Sequence, residues 1–277
     1  TASGEVNGYT VSYMQTSMDQ FAGMSSARLS VDMGDMGLIA FDQGSGSGLG
    51  TIDDKTPTAA EEIWDGLDAK SHGGLVGAAG SSGVFNYVNT FAGVNLNAAG
   101  RLRGGDKNAD GATGGSSSGD KHAWDFALTA GEDVLLTPGL TGGLGYGEVD
   151  GGEQKDSRPN GNDKHMTVFA NYSVDAFTLG AQVSDIRKGG IGKAGEYVEA
   201  FGIAYNVNDD LSVSYGERDV EYAKAGAAHV TEKGEGFAAA YTMGSIKIAG
   251  NVNRVDNNQG TKGSIDEMME IAVSFAF

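Results

Sequence analysis

Large apolar residues alternate with small or polar residues along most of the chain. In residues 177–183, Phe177 and Leu179 fall on one face, whereas Thr178 and Gln182 fall on the other. The same alternation recurs in residues 9–13, 29–33, 94–102, 124–128, 166–172, 201–205, 211–218, 237–243, 246–252 and 269–277. A period of two predicts β-strands, because successive side chains of a strand point to opposite faces.

The connections between these segments alternate between short and long. Short connections fall at residues 34–36, 90–93, 130–138, 175–176, 208–210 and 244–245. Long connections fall at residues 16–24, 44–82, 104–120, 151–163, 188–195, 222–233 and 257–265. All long loops therefore gather at one end of the sheet, as in transmembrane barrels and unlike Greek-key sandwiches. The pattern predicts an all-β, antiparallel transmembrane β-barrel whose apolar face meets lipid and whose polar face lines a wet lumen.

The same pattern gives an expected number of strands. We expect about fourteen strands of about nine to eleven residues, the length that crosses the hydrocarbon at a tilt. Residues 5–15 are the first of these strands and residues 266–277 the last. The two strands either pair directly or, in a barrel of about sixteen strands, flank a missing hairpin. An open edge is excluded in hydrocarbon, because unpaired backbone groups there cost several kcal/mol each.

The composition agrees with a sheet protein that has no thiol chemistry. Only 3 of the 277 residues are proline, which suits paired strands because proline cannot donate to a ladder. The absence of cysteine excludes disulfides and thiolate metal sites. The formal net charge of −18 argues against a nucleic-acid partner, since phosphate binding needs Lys and Arg.

The longest connection, residues 44–82, is the first candidate for function, because loops of this length are usually functional. The Thr56-Pro57 pair or a capping box at residues 58–61 predicts the start of a short helix, and Gly66 predicts its end. The segment is acidic and contains Asp53, Asp54, Glu61, Glu62 and Asp65. Taken alone, it is an acidic cluster inside a loop, which is typical of a solvated surface helix.

Residues 27–48 (ARLSVDMGDMGLIAFDQGSGSG), followed by residues 51–66 (TIDDKTPTAAEEIWDG), resemble the alphaproteobacterial trimeric porins. In that family, two strands joined by a tight turn lead into a long loop that folds into the barrel and narrows it. The alternating last strand, which ends at Phe277, resembles the C-terminal signal that outer-membrane assembly machinery reads. The resemblance implies a homotrimer in the bacterial outer membrane, in contact with lipid and lipopolysaccharide, that passes small hydrophilic solutes.

The resemblance further implies a constriction in which basic strand residues face the acidic loop. The five acidic residues of the loop then form one wall, and the basic wall is formed by Arg28, Arg101 and Arg103. Arg101 and Arg103 stand two positions apart on one strand, so both point inward if either does. The acidic loop and the negative net charge predict a mild preference for cations.

Calcium, bound at a weak site, is the one cofactor that the sequence suggests. Asp106, Asn108 and Asp110 occupy the first, third and fifth positions of a calcium loop. The twelfth position is Ser117, which lacks the bidentate carboxylate of such loops. A flexible loop rich in Asp and Gly is the competing interpretation.

No residue pattern indicates catalysis. Residues 189–195 (GGIGKAG) match a dinucleotide fingerprint, but the segment after them alternates as a strand, whereas the fingerprint requires a helix. We therefore expect a protein that is not an enzyme. The alternative to a porin is a secreted, acidic, β-rich adhesin that binds calcium and sugars and stays in solution without detergent.

Overall fold

The computed structural model describes residues 1–17, 23–44, 46–67, 73–80, 82–102, 122–150, 161–189, 195–223 and 230–276. The strands are β1 (Ala2–Val6), β2 (Tyr9–Ser17), β3 (Met24–Asp32), β4 (Leu38–Gln43), β5 (Ser82–Phe91), β6 (Val94–Arg101), β7 (Ala123–Ala130), β8 (Leu140–Val149), β9 (Asp163–Val174), β10 (Phe177–Arg187), β11 (Gly195–Asn206), β12 (Leu211–Ala223), β13 (Thr231–Met243), β14 (Ile246–Asp256) and β15 (Ile265–Phe275). The helical elements are α1 (Glu132–Leu135) and the 3₁₀ helices Gly34–Met36, Gly48–Ile52 and Asn258–Gly260. Among these residues, no helix has both the length and the apolar character needed to cross a membrane.

The strands form one antiparallel sheet of fifteen strands, in which each strand pairs with its neighbour in the sequence from β1 to β15. The sheet curves into a barrel, because the long connection between β4 and β5 touches both Asp42 on β4 and Met268 on β15. The predicted fold class, an antiparallel transmembrane β-barrel, is confirmed. The predicted sorting of short and long connections to opposite ends is confirmed as well.

The first predicted strand is wrong, because residues 5–15 contain a hairpin. Asn7 and Gly8 have φ angles of 53° and 82° and form the turn between β1 and β2. An Asn-Gly pair is the strongest short-range signal for such a turn, since both central residues need positive φ. Because of this turn, the sheet has one strand more than the about fourteen that we expected. No ladder joins β1 to β15 within the described residues, so direct pairing of residues 5–15 with 266–277 is not found.

The two faces of the sheet are inverted relative to a soluble protein. On β12, Ser214, Gly216 and Arg218 are buried, whereas Tyr215 and Glu217 between them are exposed. Across the sheet the buried polar residues include Asn86, Asp125, Thr167, Gln182 and Asn253. The exposed face carries large apolar side chains such as Leu144, Val168, Phe201, Phe237 and Ile271. An apolar outer face around a polar interior is the arrangement of a barrel in lipid.

We expect the substitution Val168→Arg to destabilise the barrel in lipid vesicles. Val168 lies in the middle of β9, is 59% exposed, and pairs with the exposed Leu144 and Val183 on the neighbouring strands. A charge placed in hydrocarbon here should lower the free energy of unfolding by about 2–4 kcal/mol, as measured by urea titration.

The matched control is Val207→Arg, because Val207 is also exposed but lies in the connection between β11 and β12. A surface change of this kind should alter the free energy of unfolding by about 0.5 kcal/mol or less. Equal effects of the two substitutions would contradict a lipid-facing outer surface.

Candidate functional site

The described parts of the long connection between β4 and β5, residues 44, 46–67 and 73–80, lie against the polar inner face of the sheet. Its two ends are held together by Asp125 on β7, which is buried. Asp125 Oδ1 accepts a hydrogen bond from the Leu49 amide at 3.0 Å, and its Oδ2 accepts one from the Ala79 amide at 2.6 Å. Leu49 and Ile52 pack into an apolar cluster that includes Phe169 of β9. One carboxylate thus pairs two backbone donors that would otherwise be buried without partners.

The middle of the loop is bound by amide side chains of the wall. Gln182 on β10 accepts a hydrogen bond from the Lys55 amide at 2.7 Å and donates to the carbonyl of Ile52 at 2.8 Å. Asn253 on β14 donates to the carbonyls of Glu62 at 3.0 Å and Asp65 at 2.9 Å. A side chain that both donates and accepts can satisfy peptide groups of either kind. The loop therefore follows the wall across the strands from β7 to β14.

The short helix predicted after Thr58 does not form within the described residues 46–67, where the helical element is the 3₁₀ helix Gly48–Ile52. The Thr58 hydroxyl donates to the carbonyl of Glu61 at 2.6 Å instead of capping a helix, and the Asp65 amide makes a single turn to the carbonyl of Glu62. The physical reason is competition for backbone groups. The Thr58 hydroxyl binds the carbonyl of Glu61, which in an α-helix would accept from the Asp65 amide, and that amide binds the carbonyl of Glu62 instead.

The returning part of the loop, residues 73–80, lies on strands β7 to β12. The Gly77 amide donates to His165 Nδ1 at 3.3 Å, and the Gly74 amide donates to the Glu196 carboxylate. The buried Arg218 donates to the carbonyl of Gly73.

Arg218 is paired with a buried carboxylate that links a second loop to the site. Its Nη1 lies 3.9 Å from Glu232 Oε1 on β13. Glu232 Oε2 accepts hydrogen bonds from the Tyr222 hydroxyl at 3.0 Å and from the Gln259 amide at 2.7 Å. A buried ion pair is tolerated when hydrogen bonds satisfy its remaining atoms, as they do here. The group connects the returning part of the loop with the connection between β14 and β15.

Two acidic residues of the loop, Asp53 and Asp54, line a crevice that also contains Arg218. The indole of Trp64 donates a hydrogen bond to Asp54. Burial, together with the charge of Asp54, raises the pKa of Asp53 to about 6. Burial also raises the pKa of Glu62 above its ordinary value.

The predicted basic residues lie at the two ends of the loop. Arg28 on β3 donates to the carbonyl of Gly46 at 3.2 Å and to Asn86 Oδ1 at 2.6 Å, and its Nη1 lies 3.8 Å from the Asp42 carboxylate. A Cβ added at Gly80 would lie 3.0 Å from Arg101 Nη1. The structure instead places Arg218 in the crevice of the acidic pair Asp53 and Asp54. In the sequence, the signal for this residue is a positive charge at a lumen-facing position of its strand.

Several predicted residues lie outside the described residues, namely Arg103, Asp106, Asn108, Asp110 and Phe277. The calcium site and the C-terminal signal therefore stay predictions. Within the described residues, no three His, Asp or Glu side chains come together in a way that could hold a metal ion.

Comparison with known proteins gives one family and several similar folds. A model of the Gram-negative porin family matches residues 2–260. OmpT, an outer membrane protein of Vibrio cholerae, is similar with a TM-score of 0.69 and 12% identity over 99% of this chain and 87% of that one. An anion-selective porin from Comamonas acidovorans gives a TM-score of 0.66 and 12% identity with the same coverage. The comparison with curated proteins found no match.

We expect Asp125→Ala to release both ends of the loop, because it leaves the amides of Leu49 and Ala79 without an acceptor. Each buried donor that loses its partner should cost about 1–3 kcal/mol. Hydrogen exchange should become faster at these two amides and stay unchanged at strand amides of β12. Asp125→Asn keeps one side-chain carbonyl oxygen as an acceptor, so its exchange rate should be intermediate. If exchange in Asp125→Ala equals that of the unaltered protein, Asp125 does not hold the loop.

Proposed function

The chain belongs to the Gram-negative porin family, and on that premise we propose that it lets small hydrophilic solutes and ions diffuse passively across the outer membrane. The family is one of channels, so the proposal includes no catalytic step. The observation that carries the proposal is the position of the loop. Its contacts reach along the wall as far as β14 and β15, while polar residues on β1 and β2 such as Ser3, Thr10 and Thr16 remain exposed. A loop bound to one side narrows a lumen without filling it.

Purified protein that has been folded in detergent should produce stepwise conductance in planar lipid bilayers. The polar inner face is expected to hold water and ions, and a narrow passage gives discrete current levels. Current recordings at several voltages measure this directly. A folded protein that inserts into the bilayer and gives no current steps would contradict the diffusion-pore proposal.

We further propose that the pore prefers cations. Acidic side chains occupy lumen-facing positions on β1, β3 and β15, among them Glu5, Asp32 and Glu270. The loop adds Glu61, Glu62 and Asp65. Arg28, by contrast, is already paired with Asp42 and Asn86. The anion preference in the description of the Comamonas acidovorans porin belongs to that protein, since similarity at 12% identity shows the fold alone.

Cation preference should fall as the pH is lowered from about 7.5 to about 5. The pKa of Asp53 is raised to about 6, so this carboxyl group is ionised above that pH and becomes neutral below it. Glu62, whose pKa is also raised, shifts the preference in the same direction. The reversal potential in a salt gradient measures the preference, and Asp53→Asn should reduce its dependence on pH.

Two variants that each lose four negative charges distinguish the effect of the loop on selectivity from the effect of the protein's overall charge. Neutralising the loop residues with D53N, D54N, E61Q and E62Q should lower the cation preference. The control neutralises four acidic residues on the outer parity, with E199Q, D219N, E217Q and E235Q. If the two variants have the same reversal potential, the loop does not set the selectivity.

We also propose that three copies assemble through the outer face near the chain termini. Large apolar side chains are exposed there on β2 to β5, including Tyr13, Leu29, Ile39, Phe41 and Phe85. The rings of Phe41 and Phe85 pack edge to face with their centroids 5.4 Å apart, which gives the surface a defined shape. Mass measurement in mild detergent should give three copies per particle, and a purely monomeric particle would refute the assembly.

A further inference from the structure

A row of glycines crosses the inner wall under the loop. Four neighbouring strands, β10 to β13, each place a glycine at the same level, so that each glycine is the direct cross-strand partner of the next. The glycine row consists of Gly180, Gly202, Gly216 and Gly236. An asparagine is the next partner at each end, Asn171 on β9 and Asn253 on β14.

The loop segment from Lys55 to Glu62 matches this row in length and position. At one end, Asn171 donates a hydrogen bond to the carbonyl of Lys55 at 2.8 Å. At the other end, Asn253 donates to the carbonyl of Glu62 at 3.0 Å. The two asparagines thus fix the ends of the segment that spans the glycines.

Two apolar residues of the loop lie directly on the glycine row. Pro57 lies over Gly180 and Gly202, and a Cβ added at Gly202 would stand 2.9 Å from the Pro57 carbonyl oxygen. Ile63 lies over Gly216 and Gly236, where an added Cβ would stand 2.8 Å and 2.9 Å from its side chain. These separations are shorter than van der Waals contact, so a larger residue at Gly202 or Gly216 would press directly on the loop. At Gly180 and Gly236 it would meet the side-chain oxygen of Asn171 or Asn253 as well as the loop.

Backbone conformation does not explain these glycines. None of the four has a positive φ, which is the usual reason for glycine in a turn. Glycine inside a strand weakens it and often marks a place where another backbone approaches closely. The sheet accepts this weakness in four adjacent strands, and the loop is what approaches them.

We infer that the glycine row sets how deeply the loop lies against the wall, and thereby sets the width of the pore. This inference rests on the proposed function, because it concerns the same passage. The glycines act as positioning residues: they hold no solute, but they let the loop lie flush with the wall, and a Cβ at any of them moves the loop into the lumen.

The variant Gly216→Ala tests this directly by single-channel conductance in planar bilayers. The added methyl group meets Cγ2 of Ile63, so the loop should move inward and the conductance should fall. Adding Ile63→Ala removes the atom that the methyl group meets, and the double variant should regain the conductance of Ile63→Ala alone. Unchanged or raised conductance in Gly216→Ala, or a loss that Ile63→Ala does not relieve, would overturn the inference.

Two further variants separate displacement of the loop from general damage to the barrel. Gly202→Ala meets the backbone oxygen of Pro57, so its conductance should fall and Ile63→Ala should not restore it. Gly100→Ala in β6 places its methyl group where nothing lies within 4 Å, and its conductance should not change. If Gly216→Ala does not fold, Gly202→Ala and Gly100→Ala still decide, and equal conductance of those two would overturn the inference.

A distance measurement keeps this test independent of the pore function. The chain has no cysteine, so spin labels can be attached to cysteines introduced at Glu61 in the loop and Ser12 on β2. The distance between the labels should be shorter with Gly216→Ala than without it, and unchanged with Gly100→Ala. If the distance is unchanged in Gly216→Ala, the inference about the glycine row is overturned even if the protein conducts. A shorter distance would support the inference even in a protein without current steps.

Discussion

The structure depends on one constraint: backbone amides and carbonyls away from water must find partners inside the protein. The strands meet it through ladders between sequence neighbours from β1 to β15, except at the outer edges of β1 and β15, for which the described residues show no ladder. The loop between β4 and β5 has no ladder, so side chains of the wall pair its backbone instead. Asp125, Gln182 and Asn253 each bind two or more peptide groups of the loop. The polar inner face therefore supports the loop and, in the proposed pore, also lines the passage that the loop narrows.

This dual role explains the composition of the inner wall. Where the loop needs hydrogen bonds, the wall carries amides, carboxylates and hydroxyl groups, and where Pro57 and Ile63 of the loop meet the wall, the wall carries glycine. Charges that touch the loop are paired, as Arg218 is with Glu232. The acidic side chains that stay exposed, such as Glu61, are the ones that would face solutes in the proposed pore. In that proposal, the residues that hold the loop and the residues that face passing ions are largely different.

The period-two pattern was sufficient to predict the barrel, its lipid-facing side and the sorting of its loops, because alternation and connection length are local properties of a sequence. The turn at Asn7 and Gly8 was also readable, and missing it made one strand out of two. The shape of the segment after Thr58 could not be judged locally, since Asn253, nearly two hundred residues away, holds the carbonyl of Glu62 against the wall. The partners of Arg28 and Arg218 depend in the same way on register between distant segments. The four glycines were visible as strand glycines, but only the register shows that they form one row.

One side of each strand is expected to meet lipid, and the other side to meet water inside the barrel. Single cysteines introduced along β15, which the loop leaves largely uncovered, test this arrangement, because the chain contains no cysteine of its own. In lipid vesicles, a water-soluble thiol reagent should label positions Glu270, Ala272 and Ser274, while a lipid-soluble quencher should reach labels at Met269, Ile271 and Val273. Equal access of the water-soluble reagent to both sets would contradict a water-facing inner side and a lipid-facing outer side of β15.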